Sequence, residues 1–293
     1  MTDAHGPAVV AVGGGHGLAV TLRAATRYAG ALTGIVSVAD DGGSSGRLRV
    51  TTGLPAMGDI RRCLTTLADR NDPDAAAWAA AFEHRFDAGE LAGHAMGNLA
   101  IAALTQELGS FDQAIDAVRR LLRVDAEIVP ASAVPVRLVA DADGGPVRGQ
   151  VAVQGSGGIR HIALEPPDAP ASPAAVDAAE HAAQIVVGPG SLYTSVLAAL
   201  AVPGVRDAVN RSSAPVVYVC NLRPQVPETD GYDVAAHVGA LRDHGVDPDV
   251  VVCQPEALAR GRLSGVEVIE QPVAAGDRGH DPALLGAALA SLV

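Results

Sequence analysis

The sequence predicts an α/β fold built on a parallel sheet, and three observations carry that prediction. Short Val-rich apolar runs recur at Ala8–Val12, Ile35–Val38, Gln184–Val187, Val216–Cys220 and Asp249–Val252, several followed by a glycine turn and a helical pattern. Hydrophobic residues make up 48% of the chain but aromatic residues only 3%, which suits Val strands buried on both faces beneath Ala/Leu helices. The polar, Gly-rich segments Gly13–Gly17, Asp40–Arg49, Gly188–Ser195 and Asn221–Tyr232 fall at the expected C-terminal ends of strands, where open α/β sheets bind ligands. The chain of 293 residues is read as one such domain over residues 1–293, with a β-rich insertion at 124–166.

The first unit is a strand at Ala8–Val12, the turn Gly13-Gly14-Gly15-His16-Gly17, and an amphipathic helix with Leu18, Leu22 and Ala25 on one face. With the next strand it forms the opening of a Rossmann-like βαβ unit. The glycine pattern is G-x-G-x-G, without the dinucleotide spacing, and fits either a phosphate contact or a tight turn. The second strand leads into Asp40 and Asp41, then Gly42-Gly43-Ser44-Ser45-Gly46-Arg47-Leu48-Arg49, read as one loop. Glycines there let backbone N–H groups approach a ligand, and the carboxylates can hold a hydroxyl, a cation or a proton. Gly42–Gly46 matches Gly-x-Ser-x-Gly, but a nucleophile elbow needs the Ser on a sharp turn leading directly from strand into helix; here Asp40 and Asp41 precede the match, and Arg47–Gly53 shows no helical pattern.

A helix then runs from Gly58 or Asp59 to about Ala68. Asp59 suits a cap in its first turn, and Arg61 is aimed at a phosphate or carboxylate. Asp72-Pro73 starts a helix through Trp78, Phe82 and Phe86, with Trp78 packed in the helical layer. His94 and Asn98, four apart at a glycine-rich helix start, can share a ligand-facing surface on a helix to about Leu108. Phe111–Leu122 is a further helix.

From Ala126 the pattern turns to β, with runs at Ile128-Val129, Val136–Val139, Val147–Val153 and Arg160–Leu164 read as a small meander. The second strand–turn–helix unit is Gln184–Val187, then Gly188-Pro189-Gly190-Ser191-Leu192-Tyr193-Thr194-Ser195. Ser191, Thr194 and Ser195 stand at a helix N-terminus, where free N–H groups favour an anion. A strand ending at Asn221 follows, then the polar segment Pro227-Glu228-Thr229-Asp230-Gly231-Tyr232 and a helix to about His244. Asp249–Val252 is the last clear strand, and His280-Asp281-Pro282 opens a docked terminal helix.

Composition bounds the chemistry. The net charge of −12 argues against a nucleic-acid or anionic-membrane surface. The sequence contains no Lys, which excludes Lys Schiff bases and Lys-type phosphate loops and leaves Arg47, Arg49, Arg61 and backbone N–H groups for phosphates. Cys63, Cys220 and Cys253 form no Cys-x-x-Cys pair and suggest reduced cytosolic thiols. No His-x-x-x-His or Cys cluster points to zinc, and no metal site is assigned. The N-terminus has no basic segment and its apolar run is too short to span a bilayer, so a soluble cytoplasmic protein is expected. Two glycine turns suggest a ligand with two polar ends, such as a nucleotide diphosphate joined to another group. An NAD-like dinucleotide is a further reading, weakened by the glycine spacing.

The segments GGGHGLAVTLR, VSVADDGGSSGRLR, GDIRRCL, GHAMGNL, GPGSLYTSVL and VCNLRPQVPETDGY, in this order, resemble the YvcK-like gluconeogenesis-factor family within the CofD-like (2-phospho-L-lactate transferase) superfamily. The resemblance covers residue 8 to about Cys253 and implies a CofD-like fold. It also implies a cytoplasmic protein that binds UDP-sugars, notably UDP-N-acetylglucosamine, and is linked to gluconeogenic growth, cell shape and peptidoglycan synthesis. Cell-envelope synthesis proteins and a second copy of the chain are the partners such a role would call for. The ligand-binding residues expected are Gly13, Gly14, Gly15, His16, Gly17, Asp40, Asp41, Gly43, Ser44, Ser45, Arg47, Asp59, Arg61, His94, Asn98, Gly188, Pro189, Gly190, Ser191, Thr194 and Asn221. The alternative is a transferase acting on a phospholactyl nucleotide and a deazaflavin alcohol. Asp41 and Asp59 would then be catalytic, holding Mg2+ or orienting the attacking hydroxyl. Three departures stand out: His16 replaces the family's usual Thr, the region after Cys253 is short and lacks a Tyr, and Gly279 precedes His-Asp-Pro, with Arg278 one place earlier.

Overall fold

A computed structural model describes residues 6–274, 276 and 279–293; Arg278 lies outside the described residues. Seven parallel strands form the main sheet: β1 (Ala8–Gly13), β2 (Ala31–Val36), β3 (Glu127–Pro130), β7 (Gln184–Val187), β8 (Val216–Val219), β9 (Val250–Cys253) and β10 (Glu267–Glu270). Their order is β10-β9-β8-β7-β1-β2-β3. The chain moves outward from β1 through β2 to β3, then returns to β7 on the other side of β1 and moves outward again. The order therefore reverses between β1 and β7, the switch point where such sheets open a crevice at their carboxyl ends. Val12 pairs with Val187, so the turns after both strands start at the same level.

β7, β8 and β9 are buried along their whole length, as a sheet covered on both faces requires. Helix α1 (Gly15–Ala25) covers β1 and buries Leu18 and Leu22 completely. Each such side chain contributes about 1.5–3 kcal/mol of burial. Helix α12 (Pro282–Ala290) packs on α1, and its cap is Asp281, which accepts the Ala283 and Leu284 N–H groups.

Several expectations need correction. The stretch Asp40–Arg49 is not one loop: α2 runs Gly43–Thr52, started by Gly43 at φ +47° and closed by Gly53 in the left-handed region. Its surface is polar and glycine-rich, so no amphipathic stripe announces it; burial of Ser44, Ser45, Gly46 and Leu48 holds it instead. Helix α3 (Gly58–Leu67) is as expected, but α4 (Pro73–Glu83) ends before Phe86, where Arg85 bridges to Ala95. Trp78 is 42% exposed and touches Phe82 edge-on. Helices α5 (Met96–Leu108) and α6 (Phe111–Leu121) match expectation.

The β-rich stretch also divides differently. Ile128 and Val129 belong to β3 at the edge of the main sheet. The small antiparallel sheet is β4 (Arg137–Ala142), β5 (Gly145–Arg148) and β6 (His161–Glu165), ordered β5-β4-β6. The run Val147–Val153 is a strand only to Arg148; α7 (Gln150–Gln154) replaces its second half. Past the cis Glu165-Pro166 bond, α8 (Pro173–Glu180) leads to β7. The helical stretch after β7 opens with one π-helical turn, Leu192–Val196, continued by α9 (Leu197–Leu200) and α10 (Pro203–Arg211). Helix α11 (Val234–Asp243) precedes β9. β10, a short edge strand framed by glutamates, follows the strand taken from sequence as the last. Among the described residues no single helix is long and apolar enough to cross a membrane.

Candidate functional site

The crevice lies where the β1–β7 reversal places it, with a volume of 560 Å³. Helix starts crowd its walls: Gly15, His16 and Gly17 from α1, Gly43, Ser44 and Ser45 from α2, and Gly58 and Asp59 from α3. First-turn N–H groups have no acceptor within their own helix, and the helix dipole adds positive potential there. The α1 and α2 N-caps, Gly14 and Gly42, offer no side-chain oxygen to those amides. The Asp59 carboxylate stands near these amides, and the Gly15 N–H favours its charged form. A strongly acidic protein thus gathers the positive ends of three helices at one point.

The opposite wall is the turn after β7. A Cβ on Gly17 would lie 2.0 Å from the Pro189 carbonyl oxygen, so only glycine lets α1 start this close to the second turn. Thr21 fixes the approach by donating its hydroxyl to the Gly188 carbonyl at 2.8 Å. Asn221, at the end of β8, clamps Gly190 twice: its Oδ1 accepts the Gly190 N–H at 3.1 Å and its Nδ2 donates to the Gly190 carbonyl at 2.9 Å. The amides of Tyr193 and Thr194 are not free for a ligand, contrary to the reading of this helix start. They donate to the buried Glu228 carboxylate at 2.7 and 3.3 Å.

Arg61, Arg62 and Arg85 reach this crevice, opposed by Asp40 and Asp59. Arg61 is 3% exposed; its guanidinium lies 3.4 Å from Glu83, and its Nε has no partner in the protein. Asp59 pairs with Arg62 at 2.9 Å. Burial pushes the Asp59 carboxyl above its usual range and nearby Asp40 adds to that, while Arg62 and the Gly15 N–H oppose it. Burial lowers the His16 pKa; Arg62 and Arg61 add to the effect and Glu83 opposes it, which favours the neutral ring.

Fourteen of the expected residues line this crevice: Gly14, Gly15, His16, Gly17, Asp40, Gly43, Ser44, Ser45, Asp59, Arg61, Asn98, Gly190, Ser191 and Thr194. Pro189 and Asn221 line a second crevice of 640 Å³, which shares His16, Gly17, Gly190 and Gln225 with the first and extends past Val20, Leu222, Ala257 and His280. Gly13 ends β1 and Gly188 directly follows β7; neither lines the two crevices. Asp41 turns away: its Oδ1 accepts the Val151 N–H at 3.0 Å, at the start of α7. Arg47 donates to the Ala92 carbonyl, and Arg49 to the Val136 carbonyl.

His94 meets Ser44 from outside, with Nδ1 3.2 Å from Oγ, while Ser44 Oγ also accepts the Ala95 N–H. A helix does start at Gly43, against the expectation for Arg47–Gly53, but residues 37–42 separate it from the end of β2 at Val36, so no turn leads directly from strand into helix at Ser44. The triad is also incomplete, because His94 Nε2 has no carboxylate partner among the described residues. Asn98 donates to Ser45 Oγ at 3.4 Å, and its Oδ1 is buried without a partner.

The sequence reading omitted Ser37, Arg62, Arg85, Gln150, Gln154 and Gln225 from the site, while Ser195, read at an anion-favouring helix start, does line it. The Asp59–Arg62 spacing of three on one helix was the available signal for Arg62. Nothing local marks Arg85 or Gln225.

No group of three or more His, Cys, Asp or Glu side chains that could hold a metal occurs among the described residues. Asp40 and Asp59 face the crevice as a pair. That fits Mg2+ only in company with ligand phosphates, since this ion is commonly held by one or two carboxylates plus substrate oxygens.

The chain is similar to proteins already described. The family model "2-phospho-L-lactate transferase CofD" matches residues 9–274. A putative gluconeogenesis factor of Nostoc sp. is 44% identical over 239 residues, covering 80% of this chain and 52% of that protein. The gluconeogenesis factor of Halalkalibacterium halodurans is 40% identical over 250 residues, covering 83% of this chain and 76% of that protein. The chain thus spans about half the length of the Nostoc relative. The crystal structure of a UPF0052-family protein from Bacillus halodurans is 34% identical with a TM-score of 0.88, covering 96% of this chain and 97% of that one. With the expected parallel sheet, glycine turns and switch-point crevice in place, the chain belongs to the CofD family, in its YvcK-like gluconeogenesis-factor branch.

Proposed function

We propose that the chain binds a nucleotide sugar of the UDP-N-acetylglucosamine type across the β1–β7 crevice. It acts as a cytoplasmic regulator that links gluconeogenic carbon metabolism to cell shape and peptidoglycan synthesis. The observation that supports this most is the convergence of the α1, α2 and α3 starts with Arg61, Arg62 and Arg85 on one cavity. Such an arrangement favours phosphate in a protein without Lys. The adjoining crevice, with Val20, Leu222 and Ala257, gives a nucleoside an apolar surface beside the phosphates. The family's gluconeogenesis-factor name supports the metabolic role; the nucleotide sugar and the envelope link are our extension of it.

The transferase alternative keeps one supporting feature, the Asp40–Asp59 pair facing the crevice. Asp41, the other carboxylate expected to act, is engaged with α7. A crystal soaked with UDP-N-acetylglucosamine tests the binding reading: density bridging Gly15–Gly17 and Gly190–Ser191 is expected, and an empty crevice at saturating ligand would contradict it. Incubation with a phospholactyl nucleotide, the deazaflavin alcohol and Mg2+ tests the alternative; a coupled product would replace the regulator with an enzyme.

A further inference from the structure

Glu228 stands in the polar segment Pro227–Tyr232, which neither the fold nor the proposed function uses. It is 2% exposed, and all its contacts have it accept: Oε1 from the Tyr193 and Thr194 amides, Oε2 from the Thr194 hydroxyl at 3.2 Å. A carboxylate of this chain therefore occupies the place at the second glycine turn where a ligand phosphate would be expected. Its own segment is pinned by a reciprocal pair: the Gln225 N–H donates to Thr229 Oγ1 at 2.8 Å, and the Thr229 N–H to the Gln225 carbonyl at 2.7 Å. That pinning presents Gln225 to both crevices, with a buried Oε1 that has no partner. Burial pushes the Glu228 carboxyl above its usual range, and the Tyr193 and Thr194 amides with the Thr194 hydroxyl oppose that by stabilising its anion. As that anion it gives the wall a resident negative charge that repels other anions and favours O–H or N–H donors beside the Gln225 amide. The other wall offers helix starts and three guanidinium groups.

We propose that Glu228 determines which part of a ligand meets the Gly190–Ser195 wall: the phosphates go to the α1–α3 side, and the group against this wall is uncharged and bears hydroxyl or amide donors. This rests on the crevice being a nucleotide-sugar site, and it narrows the class to neutral sugars over uronic acids. Glu228 does not line the crevice; it acts through Thr194 and Gln225, as a positioning residue.

The test is a comparison of affinities for UDP-N-acetylglucosamine and UDP-glucuronic acid, in the wild type and in Glu228→Gln. The variant is nearly isosteric and keeps an acceptor for the two amides. The wild type is expected to prefer the neutral sugar by about tenfold, with Glu228→Gln losing most of that preference while keeping its affinity for the neutral sugar. A merely structural role would weaken both ligands together and leave the ratio unchanged, which would overturn the proposal, as would a wild type that binds both equally. Inorganic phosphate followed by thermal shift decides the matter independently of any nucleotide sugar. Tighter phosphate binding in Glu228→Gln supports the resident anion, and equal binding overturns it. If Glu228→Gln does not fold, the wild-type preference decides, and if neither sugar binds, the phosphate comparison of Glu228→Asp with the wild type does: unchanged phosphate binding, with the charge kept, supports the proposal, and tightened binding overturns it. Failure of both nucleotide sugars with the wild type would count against the function proposed above, not against the charge selection.

Discussion

The Asp41 carboxylate accepts the Val151 N–H at 3.0 Å, joining the end of the β2 crossover to α7, 110 residues later in the chain. One of two adjacent carboxylates is thereby assigned to holding a crevice wall. Asp40, its neighbour, accepts the Gly42 N–H at 2.9 Å and faces the cavity. Asp41→Asn keeps an acceptor for Val151, so ligand binding should persist. Asp41→Ala should cost about 1 kcal/mol, as loss of a helix-start acceptor does. Calorimetry on both variants checks this; loss of binding in a folded Asp41→Asn would put its charge on the ligand.

Gly17→Ala should damage fold and site together. The new methyl would meet backbone, the Pro189 carbonyl at 2.0 Å, and has no flexible neighbour to push aside. Overpacking of this kind costs about 1–3 kcal/mol. Chemical denaturation should report that loss, and the α1 start should move off the second turn, abolishing ligand affinity. An unchanged denaturation midpoint would contradict the close approach.

Asn221→Ala removes both bonds to Gly190 and leaves a peptide unit without partners. The expected loss is about 1–3 kcal/mol, with weaker ligand binding because Gly190 lines both crevices. Asn221→Asp should recover only the acceptor half, since the Gly190 carbonyl keeps no donor. Thermal denaturation of the two variants side by side would show the order Asn, Asp, Ala.

Stability should fall in mild acid. His244 donates from Nδ1 to the Ala240 carbonyl at 2.7 Å, and its Nε2 accepts the Ile162 N–H at 3.0 Å, which fixes a neutral ring between α11 and β6. Burial lowers its pKa, helped by stacked His161 and by Arg206, against the Ala240 carbonyl and Asp243. A folded pKa below the unfolded 6.5 means the contribution is complete above that pH and is lost as pH falls through the folded value. Burial shifts His237 and His280 the same way. His244→Gln should therefore flatten, without abolishing, the decline in melting temperature between neutral and mildly acid pH.

The sheet and its two glycine turns were legible because they depend on local pattern: buried Val runs, then glycines where α1 and the second turn nearly touch. Helix α2 was not, since a Gly/Ser-rich segment with little amphipathicity becomes helical only through contacts made by Ser44, Ser45 and Leu48. β10 carries only two apolar residues between glutamates, as a strand at a sheet edge can. The orientation of Asp41, the arrival of Arg85 and Gln225, and the capture of two amides by Glu228 all depend on tertiary contacts. Sequence marked the segment holding Glu228 as polar and gave no hint that its charge would be buried.

Isothermal titration with UDP-N-acetylglucosamine tests the central claim most directly. The expected result is saturable binding at one site per chain, weakened by Arg61→Met and abolished by Gly17→Ala. No heat at millimolar ligand, with the protein folded throughout, would contradict it.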